Sequence, residues 1–578
     1  MSLRSFWQSK HRASRYPNTT TTMVHQAPLL ALFLPLSLAA NCTPSTLQQY
    51  LPENAQVAFA RAVAADGTFE VPAGDIAYPT SPTKLKALCA VEVNVTLSDN
   101  SAYSFGLFLP DDWNNRFLAV GNGGFAGGIN WLAMAEGVGY GFASISTDTG
   151  HDSIPGDGSW AYQNEVAREN WGFRALHGSI EIAKHVVSAY YGGQVQYSYY
   201  SGCSTGGRQG LKEVQLFPDD FDGVLAGAPA WWTSHLQTWT IKVAQNNLPI
   251  TADYHIPPEL FPAIDAEVIR QCDPQDGLKD DIISDPDGCN FFPETLLCRG
   301  PEDLSNQTAA GCLTAAQIGT LYKIHGDYVD VNQTFVFAGL ALSSEAQWST
   351  VLLGSTQPAS LGYEYPQFFL DLGPQWNWTN FDYSIVQLAD AQNPGDANAD
   401  DFEKMEAFEK KGGKLLTYHG WSDGFIPTGS ASVFYSSVLK ALVPKGVDVD
   451  GFYRHFFVPG MQHCSGTPEN VNAPWYFAGA TQAGDVGSSP GSVHSVPGFE
   501  DAEHDVLLAL MAWVEAGRAP ESVVATKWVN DTRLEEGVLR QRPLCMFPKQ
   551  AKYGGSGDPD EPGNWRCEDP WARGVVEQ

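Results

Sequence analysis

The chain has 578 residues, with 65 acidic against 34 basic side chains and a formal net charge of −31 at neutral pH. That length suits a large catalytic domain with an insertion, or two to three domains, and 43% hydrophobic residues exclude disorder as the main state. A surface this acidic repels nucleic acid and anionic membranes and excludes both as partners, while 56 Gly, 37 Pro and a charged fraction of only 17% read as an exported, loop-rich protein.

In chain order, Arg4, Lys10, Arg12 and Arg15 precede an apolar run at 27–40. The run is shorter than the roughly 20 residues that span a bilayer, so it reads as the core of a signal peptide, with Ser37, Ala39 and Ala40 at the cleavage point. A buried N-terminal helix is the alternative. Met23 sits closer to this run than Met1 and offers a second start. The mature chain is expected to be soluble and secreted and to begin near Asn41 or Cys42. Ten cysteines in an exported chain imply disulfides. Neighbours in sequence suggest Cys42–Cys89, Cys272–Cys289, Cys298–Cys312 and Cys545–Cys567, leaving Cys203 and Cys464. Sequons at Asn94, Asn306, Asn332, Asn377 and Asn530 mark candidate glycosylated positions.

Residues 90–97 and 103–110 alternate as paired strands, and 116–124 and 139–147 are apolar runs typical of buried parallel strands. A helix is predicted over 171–190, a strand over 197–202 and a helix over 207–217. From about 229 to 400 the pattern turns irregular and rich in Pro, Asn, Asp and Trp, which predicts an inserted lid domain. Strand, helix and strand then resume at 413–419, 431–442 and 452–458, and a last helix is predicted at 501–516. This organisation is an α/β fold whose catalytic domain comprises 41–228 and 401–578.

Gly202-Cys203-Ser204-Thr205-Gly206 fits G-x-S-x-G between a strand and a helix, the context that presents a nucleophile on a tight turn. A serine hydroxyl needs a base, held in turn by a carboxylate. Asp423 and His463 follow later strands in the expected chain order, at the carboxyl ends where such sheets place chemistry. His419 competes as the base, but its place in a strand favours packing; Asp423 could instead cap a turn before Gly424. If Ser204 and His463 meet, Cys203 and Cys464 are adjacent to them and come within disulfide reach across about 260 residues. Backbone donors for an oxyanion are expected from Thr205 and from Gly123 or Gly124 in the Gly-rich loop 121–125. Between Cys272 and Cys289, Asp273, Asp276 and Asp280 crowd beside Gly277. Hard oxygen ligands of this kind suit Ca²⁺ in a structural role, and a solvated acidic loop is the alternative.

GCSTGG around Ser204, SDG around Asp423, QHC around His463 and the CDPQDGLKDDII segment together resemble the fungal tannase/feruloyl esterase family over essentially the whole mature length. The resemblance implies an α/β-hydrolase fold with a large inserted lid domain, and a disulfide between the cysteines beside the catalytic Ser and His. It also implies a lid calcium site formed by Asp273, Asp276 and Asp280 with the carbonyls of Leu278 and Ile282. The segments at 121–131 and 143–153 are more similar to type-B feruloyl esterases than to tannases. The expected activity is hydrolysis of hydroxycinnamoyl esters of plant cell-wall carbohydrate. A tannase acting on gallate esters is the first alternative, and an inactive hydrolase fold that binds carbohydrate is the second.

Overall fold

The computed structural model describes residues 41–351 and 356–569. The signal-peptide reading therefore falls outside the described residues. Nine strands form the main sheet: β1 (Ala55–Val63), β2 (Leu88–Thr96), β3 (Ala102–Pro110), β4 (Arg116–Val120), β5 (Ala143–Thr147), β6 (Tyr197–Cys203), β7 (Gly223–Gly227), β8 (Lys414–Gly420) and β9 (Tyr453–Val458). Their spatial order is β1-β2-β3-β5-β4-β6-β7-β8-β9. The first three are an antiparallel meander, β3 pairs antiparallel with β5, and every pairing from β5 to β9 is parallel.

The parallel strands read as continuous apolar runs because both sheet faces are covered. Successive side chains point to opposite faces, so Phe117 and Ala119 enter one core with Val224 and Leu415, and Leu118 and Val120 enter the other with Leu225 and Leu416. This is an α/β-hydrolase fold, and the crossovers place helices Ala175–Tyr191, Thr205–Leu216 and Gly429–Leu442 against the sheet.

Several boundaries differ from the sequence expectation for local reasons. The run at 139–147 is a strand only from Ala143, because its first residues close the helix Trp131–Gly139. A π-helical turn, Asn170–Arg174, precedes the helix that ends at Tyr191. The last helix starts at Val506, where the Asp505 side chain accepts the Leu508 N–H. Among the described residues, the region at 229–400 contributes no strand to the main sheet, but it is far from irregular. It holds the helices Thr233–Asn247, Phe261–Cys272, Ala315–His325 and Tyr383–Gln392 and a two-stranded ribbon, Tyr328–Val329 with Phe335–Phe337. The first of these is buried on nearly all sides and so carries no apolar stripe to be read. Its Thr238 and Thr240 hydroxyls are satisfied by carbonyls one turn back, of Ser234 at 2.8 Å and Leu236 at 2.9 Å.

After the last helix, Ser522–Trp528 pairs with Val538–Cys545, and Gln550–Tyr553 pairs with Trp565–Glu568. The disulfides are Cys42–Cys89, Cys203–Cys464, Cys272–Cys289, Cys298–Cys312 and Cys545–Cys567.

Candidate active site

Ser204 sits between β6 and helix Thr205–Leu216 with φ 62° and ψ −124°, a conformation that costs free energy for a residue with a Cβ. Two contacts make that turn possible only with glycine. A Cβ on Gly202 would meet the Gly206 carbonyl at 2.7 Å, and one on Gly121 would meet Gly206 Cα at 2.5 Å. The Ser204 N–H donates to the Gly227 carbonyl at 3.0 Å, which anchors the turn to β7.

Asp423 and His463 lie in the loops after β8 and β9. Asp423 is fully buried, and its Oδ2 is 2.7 Å from His463 Nδ1. Its Oδ1 accepts the N–H groups of Phe425 at 2.7 Å and Ile426 at 2.9 Å. His419 Nε2 also reaches Asp423 Oδ2, at 2.9 Å. Burial alone would raise the Asp423 pKa, but the His463 charge and the hydrogen bonds from His419 and His463 outweigh it and hold the carboxyl well below its usual range. Phe425 stacks on the His463 ring with centroids 4.9 Å apart and fixes its plane.

The loop bearing His463 is tied to the turn bearing Ser204 by Cys203–Cys464, a bridge across a sequence separation of 261. Ser204 and His463 are both partly exposed. No hydrogen bond joins Ser204 Oγ to His463 in this structure; such contacts are often long before substrate closes a site.

The Gly-rich loop lies against the start of the nucleophile helix, where Thr205 Oγ1 donates to the Gly124 carbonyl at 2.9 Å. The Thr205 N–H is one of the unpaired donors of a helix N-terminus. Gly123 differs from the expectation: its N–H is taken by the Tyr78 hydroxyl at 2.8 Å. Gly124, with φ +54°, is the remaining glycine of the pair.

His419 packs inside its strand, fully buried, as its position predicts; what the sequence does not announce is its contact with Asp423 and two further residues of the site. Tyr78 and Gln347 carry no local pattern. Gln347 Oε1 accepts both the Gly424 N–H at 2.9 Å and the His463 N–H at 3.3 Å, bracing the two catalytic loops at once. A separate cavity of about 690 Å³, bordered by Trp421, Tyr435, Phe547 and Trp565, is lined by none of Ser204, Asp423 and His463.

In the acidic loop, Asp276 Oδ1 accepts the Leu278 N–H at 2.9 Å and Oδ2 the Ser284 hydroxyl at 2.7 Å. Asp273 accepts the Asp280 N–H at 3.1 Å, and Asp280 pairs with Arg542. Burial, with the neighbouring charges of Asp280, Asp276 and Asp281, pushes the Asp273 carboxyl up to about 6. The carboxylates of Asp273, Asp276 and Asp280 are hard oxygen donors of the type Ca²⁺ takes, but their oxygens do not all lie within 4.8 Å of one another, and Asp280 is engaged by Arg542. Among the sequons, Asn94, Asn306, Asn332 and Asn377 are exposed, and Asn530 is partly buried.

A mostly parallel sheet, a serine on a strand–turn–helix elbow and an Asp–His pair after later strands define the α/β-hydrolase class. The chain belongs to the tannase and feruloyl esterase family, whose model matches residues 89–367 and 384–568, and it is a carboxylic ester hydrolase. It is 33% identical over 488 residues to a probable feruloyl esterase B-2 of Aspergillus terreus, covering 84% of this chain and 87% of that protein. The crystal structure of feruloyl esterase B from Aspergillus oryzae superposes with a TM-score of 0.81 at 32% identity, covering 90% of this chain and all of that one. A tannin acyl hydrolase from Aspergillus niger shares the fold, with a TM-score of 0.70 at 22% identity over 92% of this chain and 97% of that one.

Proposed function

We propose that this chain is a secreted feruloyl esterase that hydrolyses hydroxycinnamoyl esters of plant cell-wall carbohydrate through a serine acyl-enzyme. The observation that carries the mechanism is the Asp423–His463 contact of 2.7 Å, on a loop bolted to the Ser204 turn by Cys203–Cys464. The kinship with feruloyl esterases B supports the hydroxycinnamoyl acyl group.

In this reading His463 takes the Ser204 proton as Oγ attacks the ester carbonyl. The oxyanion is held by the N–H groups of Thr205 and Gly124. The tetrahedral intermediate collapses, the C–O bond to the sugar breaks, and His463 returns the proton to the leaving alkoxide. Water, deprotonated by His463, then releases the aromatic acid and restores Ser204. Asp423 stabilises the transient imidazolium and fixes its tautomer.

The segment 229–400 serves as a lid, a role supported by Gln347 reaching the catalytic loops. Asp273, Asp276 and Asp280, with the carbonyls of Leu278 and Ile282, would hold a calcium ion whose charge stabilises the crowded loop. Export through a signal peptide whose apolar core is 27–40 and glycosylation at the exposed sequons complete the reading.

The test is a rate comparison on methyl ferulate and methyl gallate, with Ser204→Ala alongside. Ferulate hydrolysis should dominate, and Ser204→Ala should lower kcat by at least about 10³-fold. A strong gallate preference would make the enzyme a tannase. Retained turnover in Ser204→Ala would remove the serine mechanism.

A further inference from the structure

The far end of the nucleophile helix carries a second cluster of titratable groups that plays no part in ester chemistry. His177 comes from helix Ala175–Tyr191, Glu213 from helix Thr205–Leu216, and Asp220 from the loop that follows. Their ligand atoms all lie within 4.8 Å of one another, and they form the one group of three His, Cys, Asp or Glu so placed among the described residues.

The donors are already gathered before any ion enters. Asp220 Oδ2 lies 2.7 Å from His177 Nδ1, a direct hydrogen bond that an entering ion would replace. The Phe217 ring lies flat on the imidazole, centroids 3.6 Å apart at 7°, and fixes its plane. The other ring nitrogen, Nε2, is 3.7 Å from Glu181 Oε2, too far for a hydrogen bond, so that exposed carboxylate bears on it only through its charge. Glu213 is only 1% exposed, and its Oε2 has no hydrogen-bond partner. A buried, unpaired carboxylate oxygen beside a second carboxylate is costly unless a cation joins them. Lys184 supplies part of that charge, but its ammonium donates to the Asp220 carbonyl rather than to Glu213. The side chains of His177 and Asp220 remain 25% and 12% exposed, which gives an ion a way in.

We propose that His177 Nδ1, Asp220 Oδ2 and a Glu213 oxygen form a site for a zinc-type divalent cation, with water as the fourth ligand. One imidazole and two carboxylates around an open position are a zinc-like donor set. The ion would clamp the two helices together behind the Ser204 turn. The competing account is a proton shared between Glu213 and Asp220.

The experiment uses the full chain, stripped of divalent ions, returned to saturating Ca²⁺ so that the acidic loop is filled, and titrated with ZnCl₂. The wild type should take up one equivalent, with a melting temperature higher by about 2 °C or more. His177→Ala should lose both responses and keep its ester hydrolysis. No uptake by the wild type, or equal uptake by the variant, overturns the proposal. If His177→Ala does not fold, Co²⁺ titration of the wild type and of Glu213→Gln decides. An intense visible band in the wild type that is lost in Glu213→Gln supports the site, and no band, or the same band in both, overturns it.

Discussion

Asp423 and Asp273 are both buried carboxylates in loops close to a disulfide, yet their proton affinities move in opposite directions. Asp423 receives two imidazoles and two backbone N–H groups, and its acidity rises. Asp273 receives one backbone N–H and faces other carboxylates, and its pKa climbs to about 6. Burial is common to both, so the direction is set by the partners. A complete set of donors stores a catalytic charge in advance, whereas an incomplete set leaves room for an ion.

Four measurements would break or sharpen that contrast. The largest effect is expected at the carboxylate itself: Asp423→Asn should lower kcat by on the order of 10³-fold, and His419→Gln, which removes one donor, by about tenfold. A His419 variant with the wild-type rate and pH profile would reduce that imidazole to packing. Next, Cys203→Ala with Cys464→Ala should cost about 2–4 kcal/mol of stability in denaturant titrations and lower turnover. Unchanged values would mean that the loops hold their places without sulfur. Third, chelation of Ca²⁺ should lower the melting temperature by about 3–5 °C with little change in kcat at low temperature. An unchanged melting temperature would argue that the Arg542 pairing suffices.

The smallest effect concerns Asp505, a third buried carboxylate whose partners are the Tyr140 hydroxyl at 2.7 Å and the Leu508 N–H at 2.9 Å, with no cation among them. Burial pushes it up to about 6. Between the unfolded pKa of about 4 and that value the folded state keeps a proton that the unfolded chain has released, so this contribution to stability falls as pH rises through the window. Asp505→Asn, which retains the helix cap, should remove that decline, about 2 kcal/mol, in melting experiments between pH 4 and 6. An identical pH profile in the variant would assign the proton elsewhere.

The elbow was legible in the sequence because its requirements are local: small residues at fixed offsets around Ser204, between a strand and a helix. Asp423 and His463 were legible because each directly follows an apolar strand. Their partners were not. Gln347 lies in the three-residue 3-10 turn Glu345–Gln347, too short to carry a periodic pattern, and its partners Gly424 and His463 are 77 and 116 residues away. Tyr78 reaches Gly123 from 45 residues away, a contact that only the folded chain creates. The C-terminal strands escaped for a similar reason, since Val538–Cys545 buries its residues unevenly and mixes Arg and Gln into the strand.

The Gln347 side chain carries a further consequence. One amide oxygen from the intervening segment serves the amides of both Gly424 and His463. Excising that segment to obtain a minimal hydrolase would pull the keystone from beneath the acid–base pair, so any compact redesign must rebuild this acceptor before it can inherit the chemistry.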